Sequence, residues 1–245
     1  MSAFDEREQA AYDRTVELFR TAPAGERVGD GAWTVRDVLA HLVTVARRYT
    51  SMPRLADTPR EVDTINAEEL AELSGLTVDA LLDEYAQAFA RYREVWVPMG
   101  PEHQWPFHGG GRIGTVALRA NWLGEMLVHG YDVAAAAGVD WPIDDADAGD
   151  LLGLLRAILP AYGRAGTDSV AVDLALDGVE PWTLVAGAVP EAGSAAAEAT
   201  VTGPAGVAVL FLYQRIGPAD AIGRGLRVDG DDAVLDRLLG CLEKP

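Results

Sequence analysis

The sequence predicts two architectures in succession, an all-helical bundle and then a small α+β domain. Three observations carry that reading. Apolar residues recur at helical spacing in four segments that end before residue 142. After residue 150 the texture changes to short alternating stretches such as SVAVDLALDG and AAAEATVTG, which fit half-buried strands. Between the two lies WPIDDADAG, rich in Asp with Pro and Gly, which reads as a linker. The expected domains are therefore residues 1–142 and residues 143–245.

The elements can be justified in order. Residues 4–22 place Phe4, Ala11, Val16, Leu18 and Phe19 between charges, as an amphipathic helix does. TAPAGERVGDG breaks it. Thr34 with Asp37 three residues later forms a capping box, with Trp33 in the position to staple the first turn. Val38, Leu39, Leu42, Val45 and Ala46 then continue at helical spacing. Residues 50–76 are polar and contain Pro53 and Pro59, so a loop with a short helix near Ala67–Leu73 is expected. Thr77 caps a long third bundle helix that Pro98 ends. PMGPEHQWPFHGGGRIG reads as a loop. A fourth bundle helix is expected from about Thr115 to Ala137. In the second half, Asp145 or Asp147 caps a helix through LLGLLRAIL. Three strands follow, then a buried helix in GPAGVAVLFLYQRI, a short strand in GLRVDG and a closing helix in DDAVLDRLLGCL.

Composition excludes several classes. A net charge of −18 leaves no basic stripe to displace counterions, which argues against nucleic acid and against anionic membrane surfaces. No run of about 18 apolar residues exists, and the charged start MSAFDEREQAAYDR lacks a signal-peptide core, so a cytoplasmic protein is expected. Cys241 is the only cysteine, so no intrachain disulfide can form, and a buried, inert thiol is expected there. Lys244 is the only lysine, while Arg, Ala, Gly and Val abound, a bias seen in GC-rich genomes such as those of actinobacteria.

The chemistry concentrates in GEMLVHGYD. Glu125 and His129 are four residues apart, so a helix stacks them on one face. That spacing fits a surface ion pair as well as a metal site. His41 and His129 both sit inside apolar helical stretches, where an imidazole without a partner costs about 1–3 kcal/mol. A divalent cation would satisfy His41, Glu125 and His129 together. Two imidazoles and one carboxylate leave a coordination position open, as catalytic zinc does, although the same set suits other divalent ions.

WTVRDVLAHL together with GEMLVHGYDVAAAAG resembles the DinB-like four-helix family, and more closely its mycothiol-dependent maleylpyruvate isomerase branch. The resemblance rests on Trp33, Thr34, Asp37 and His41, and then on Glu125, His129 and Asp132. Glu125 stands where other DinB-like proteins carry a third His, which favours the isomerase branch. The resemblance covers the whole chain and implies a DinB-like bundle followed by a sterol-carrier-like α+β domain. It implies that His41, Glu125 and His129 bind a divalent metal, most often Zn²⁺. It also implies that mycothiol, a low-molecular-weight thiol, is the cofactor. Its thiolate would add to the double bond of maleylpyruvate, allow rotation and leave, giving fumarylpyruvate.

A dianionic substrate calls for cationic partners, and Arg suits carboxylates best. Arg215 is the first candidate, because its position resembles that of an Arg in the family's second domain that faces the metal cleft; the bland reading is a cation at a helix C-terminus. Arg112 and Arg119 are further substrate-binding candidates, as is His108 in FHGGGR. The HGGG run is not read as an esterase oxyanion loop, since the chain contains no G-x-S-x-G. His103 reads as a surface residue. Asp132, three residues beyond His129, is placed to orient that imidazole. The expected partners are a small electrophile and a thiol. Thiol transfer would use the same site. The rival reading is a non-catalytic binding module for a hydrophobic ligand, with a structural metal closed off by a further protein donor.

Overall fold

A computed structural model describes residues 2–29, 31–51, 54–108, 111–162, 169–187 and 196–242. The chain divides into two compact units, Met1–Pro142 and Ile143–Pro245. The first is mostly helical and the second is built on a small mixed sheet, the fold class expected from the patterning. None of its described helices is long and apolar enough to cross a membrane.

The first unit contains α1 (Ala3–Thr21), α2 (Val35–Arg48), α3 (Pro59–Glu72), α4 (Val78–Trp96), β1 (Gln104–Pro106), β2 (Arg112–Gly114) and α5 (Thr115–Ala137). Helix starts are fixed chemically. Ser2 with Asp5, and Thr34 with Asp37, form reciprocal capping boxes. Thr77 caps α4 by accepting from the Ala80 N–H. Helices α1, α2, α4 and α5 pack on one another around Tyr85, Tyr92, Trp96 and Trp122, all fully buried. Burying side chains of this size contributes about 1.5–3 kcal/mol each.

Two expectations change here. The short helix near Ala67–Leu73 is longer and starts at Pro59. Its signal was local rather than periodic: Thr58 caps it, Pro59 needs no N–H at the first turn, and Glu61 lies in that turn. The Pro- and Gly-rich stretch after α4 is not all loop. Trp105 pairs with Ile113 in a two-stranded antiparallel hairpin, and β2 runs directly into α5.

Helix α5 positions the site. It spans 23 residues and ends at Gly138, whose φ of 68° suits a left-handed cap. At Gly130, beside His129, a Cβ would stand 2.2 Å from the Trp141 ring. The bare backbone lets that ring lie against the helix, where its Nε1–H donates to the Leu127 carbonyl at 2.9 Å. The Arg14 guanidinium covers the same ring at 3.7 Å.

The second unit contains α6 (Asp145–Tyr162), β3 (Val170–Leu176), β4 (Trp182–Ala186), β5 (Ala199–Gly203), α7 (Ala205–Leu212), α8 (Pro218–Gly223), β6 (Arg227–Asp229) and α9 (Ala233–Cys241). The sheet order is β4-β3-β5-β6, with β3 and β5 parallel and the outer pairs antiparallel. Helix α6 begins at Asp145 itself, so both expected capping aspartates lie within its first turn rather than ahead of it. Helix α8 has no counterpart among the expected elements. Cys241 is 4 % exposed at the end of α9, the setting of an inert thiol.

Candidate metal centre

The capping box at Thr34 fixes the first turn of α2, and His41 follows two turns along on its buried face. Trp33, just outside the helix, does not act only as a staple. Its ring lies 4.8 Å from that of His41 and 6.0 Å from that of His129, centroid to centroid. From α5, Glu125 and His129 face the same point. His41 Nε2 stands 3.3 Å from Glu125 Oε2, and His129 Nε2 stands 3.4 Å from the same oxygen. Among the described residues this is the group of three or more His, Cys, Asp or Glu side chains whose ligand atoms all lie within 4.8 Å of one another.

These distances have a chemical meaning. Hydrogen bonds to an ionised carboxylate close to about 2.7–2.9 Å. Neighbouring donors around a tetrahedral metal, each about 2.0–2.2 Å from it, stand about 3.3–3.6 Å apart. The two separations to Glu125 Oε2 fall in the second range, and the 3.3 Å contact of His41 is at the same time a long hydrogen bond. Proton counting agrees. His129 Nδ1 lies 3.3 Å from Asp132 Oδ2 while its Nε2 faces Glu125. A neutral imidazole carries one N–H and cannot satisfy two carboxylates. A second ring proton or a cation beside Nε2 resolves the conflict, and with a cation the remaining proton stays on Nδ1 for Asp132. His41 Nδ1, by contrast, is buried without a hydrogen-bond partner, so that ring is hydrogen-bonded at Nε2 only.

Ionisation follows the same logic. Burial pushes the Glu125 carboxyl up, but hydrogen bonds from His129 and His41 outweigh it and hold the group well below the usual carboxylate range. Burial lowers the His41 pKa, against the opposing pull of Glu125. An ionised carboxylate and a neutral imidazole are the forms that ligate metals. The donor set therefore fits a divalent ion, with room for one exogenous ligand.

The other candidates are distributed differently. Arg119 is not available to a substrate, contrary to expectation. Its guanidinium donates to Asp5 Oδ1 at 2.7 Å and to Glu8 Oε2 at 2.9 Å, and lies over the Phe4 ring. It serves the α1–α5 contact, because two buried carboxylates there need a cation. Arg112 is exposed on β2 and donates to the Gln104 carbonyl across the hairpin, with no recorded contact to the cluster. Arg215 follows α7 in the second unit, half-buried, and donates from NH1 to the Tyr213 carbonyl at 2.7 Å, the bond of a helix-terminal cation. The residue before it, Gln214, has φ 57°, in the left-handed region. His108 is half-buried rather than solvated, and its Nδ1 accepts the Ala56 N–H at 3.0 Å.

One neighbour escaped the sequence reading. Arg48 lies seven residues after His41, hence on the same face of α2 two turns on. It is held by Glu69 at 2.6 Å and by Asn66, both from α3. The seven-residue spacing was the available signal.

Comparison with known proteins adds one decisive finding. The sequence model described as "Mycothiol maleylpyruvate isomerase N-terminal domain" matches residues 6–134, just over half of the chain. The chain belongs to this family. Two solved structures share its fold along its full length. One is a mycothiol-dependent maleylpyruvate isomerase, 18 % identical with a TM-score of 0.57, and the other is a histidine-to-alanine mutant so titled, 17 % identical with a TM-score of 0.55. In both cases the alignment covers 100 % of this chain and 99 % of the other. No curated protein matches the chain by sequence. In family terms, the matched region contains His41, Glu125, His129 and Asp132.

Proposed function

We propose that this chain is a divalent-metal, thiol-dependent isomerase of the maleylpyruvate isomerase type. His41, Glu125 and His129 would hold the metal, with zinc the expected ion and mycothiol the expected thiol. The observation that carries this reading is the convergence of two imidazole nitrogens, at 3.3 and 3.4 Å, on a single Glu125 oxygen, a spacing that neighbouring donors around one metal ion adopt. Zinc at such a site supplies the charge that keeps a thiol ionised at neutral pH, and a thiolate adds reversibly to an activated cis double bond.

The protein's own part is to hold and to shield. Glu125 stays ionised and neutralises part of the metal charge. Asp132 keeps the His129 proton on Nδ1 and so keeps Nε2 free to ligate. Trp33 packs at a tilt beside both imidazoles and supplies an apolar wall to the cluster. The reacting sulfur would come from outside, because Cys241, the chain's single cysteine, is buried. The same equipment would serve thiol transfer to a related electrophile. A structural site in a binding module would need a fourth protein donor, and the described cluster contains three.

The test is direct. Purified protein should contain about one zinc per chain, a His41→Ala variant little, and the wild type should isomerise maleylpyruvate only when mycothiol is present. Full metal content without any thiol-dependent loss of the cis isomer would overturn the reading.

A further inference from the structure

The isomerase reading leaves one chemical demand unmet. When a thiolate adds to an alkene conjugated with a carbonyl, a C–S bond forms and the π pair moves onto the carbonyl oxygen. The pair returns as the C–S bond breaks and the thiolate departs, so no proton need be exchanged. What the oxygen needs in between is a hydrogen-bond donor, preferably a fixed one. Arg119 is engaged by α1, Arg112 by the hairpin and Arg215 by the Tyr213 carbonyl at the end of its own helix.

His108 has the required construction. Its Nδ1 accepts the buried Ala56 N–H at 3.0 Å. An accepting Nδ1 carries no hydrogen, so the neutral ring must carry its proton on Nε2. Among the described residues Nε2 has no partner. Burial, and then the charge of Arg48, push the His108 pKa below that of a free imidazole, while Glu125 and Glu69 oppose them. The shift favours the neutral ring, the form in which Nε2 carries the proton. The β1–β2 hairpin that carries it packs against α5, the helix of Glu125 and His129.

We infer that His108 is a catalytic electrophile: a neutral imidazole whose Nε2–H donates to the carbonyl oxygen of an α,β-unsaturated carbonyl substrate as negative charge gathers there. This rests on the isomerase reading above and adds to it the residue that meets the carbonyl oxygen. A neutral donor suits the task, because an imidazolium in its place would trap the oxygen by protonating it. The backbone bond from Ala56 sets the tautomer in advance, so no reorganisation accompanies the reaction.

Two measurements on the zinc-loaded full chain test this. Nitrogen-15 NMR of labelled histidine should show His108 protonated on Nε2 and not on Nδ1 at about pH 7. His108→Phe, which keeps the ring volume without a donor, should lose about 10²–10³-fold in kcat, with zinc content and the KM for thiol unchanged. His108→Gln, which retains a neutral N–H donor, should recover part of that loss, which a merely structural role would not explain. A His108 protonated on Nδ1, or a His108→Phe variant with wild-type kcat, overturns the inference and leaves the isomerase reading standing. A wild type with no thiol-dependent turnover of maleylpyruvate overturns both.

Discussion

Helix α5 carries two clusters of buried charge, and they are built on opposite plans. At Arg119, all four oxygens of Asp5 and Glu8 meet a donor at hydrogen-bond length. Asp5 accepts from the Ser2 N–H and from Arg119, and Glu8 from Arg119 and the Tyr92 hydroxyl, all at 2.6–3.0 Å. Six residues on, Glu125 meets two imidazoles at 3.3 and 3.4 Å through one oxygen, and its other oxygen has no recorded partner among the described residues. In the first cluster the protein's own donors meet every carboxylate oxygen, and the one group left over is the buried Arg119 Nε. The second is short of positive charge and holds its donors at the spacing of metal ligands. Buried charge is therefore not in itself a mark of function. What separates the two is whether the chain alone balances protons and lone pairs.

That contrast can be broken by substitution, starting with the largest effect. Glu125→Ala should lower metal affinity by more than about 100-fold, beyond the loss expected for a supporting residue, and metal analysis after dialysis reads it. Wild-type metal content in that variant would erase the distinction. Arg119→Met should do the reverse. It leaves two buried carboxylates without their cation and should cost about 3–5 kcal/mol in denaturant unfolding, with metal content unchanged. Asp132→Asn should weaken metal binding by about 10–100-fold without a comparable loss of stability, since it only orients His129.

The smallest effect is one of pH. Burial raises the Asp5 carboxyl, but the Ser2 N–H and Arg119 outweigh it and bring the group from 3.8 to about 2. Between those values the unfolded chain binds more protons than the folded one, so stability rises with pH. The contribution is present above about 4 and is lost as the pH falls through about 2. Removing it with Asp5→Asn should flatten that acid limb by about 1–2 kcal/mol in denaturation at fixed pH. Glu8, raised by burial, works in the opposite direction at higher pH, so the difference between variant and wild type is the measurement that isolates Asp5.

Legibility varied with the range of the forces involved. The α2 start was readable because Thr34 and Asp37 bond each other across three residues. Strands β3 and β5 were readable from alternation. Helix α3 was read short because its faces are both largely polar, so periodicity is weak and only its cap announces it. The β1–β2 hairpin hid behind Pro and Gly, since three-residue strands leave too little pattern to detect. The fate of Arg119 was not readable at all. Its partners lie more than a hundred residues away on α1, and nothing local distinguishes an arginine that closes a bundle from one that waits for a substrate.

By itself the sequence determined the succession of a helical half and a mixed half, the capped start of α2, and the pairing of Glu125 with His129, because each depends on neighbours within a turn or a strand. Only the tertiary structure decided that His41 reaches the same carboxylate oxygen, that Trp33 packs beside both imidazoles, and that Arg119 is spent elsewhere. Those outcomes depend on which helix faces pack together, and the collective burial of the core sets that arrangement rather than any one residue's chemistry.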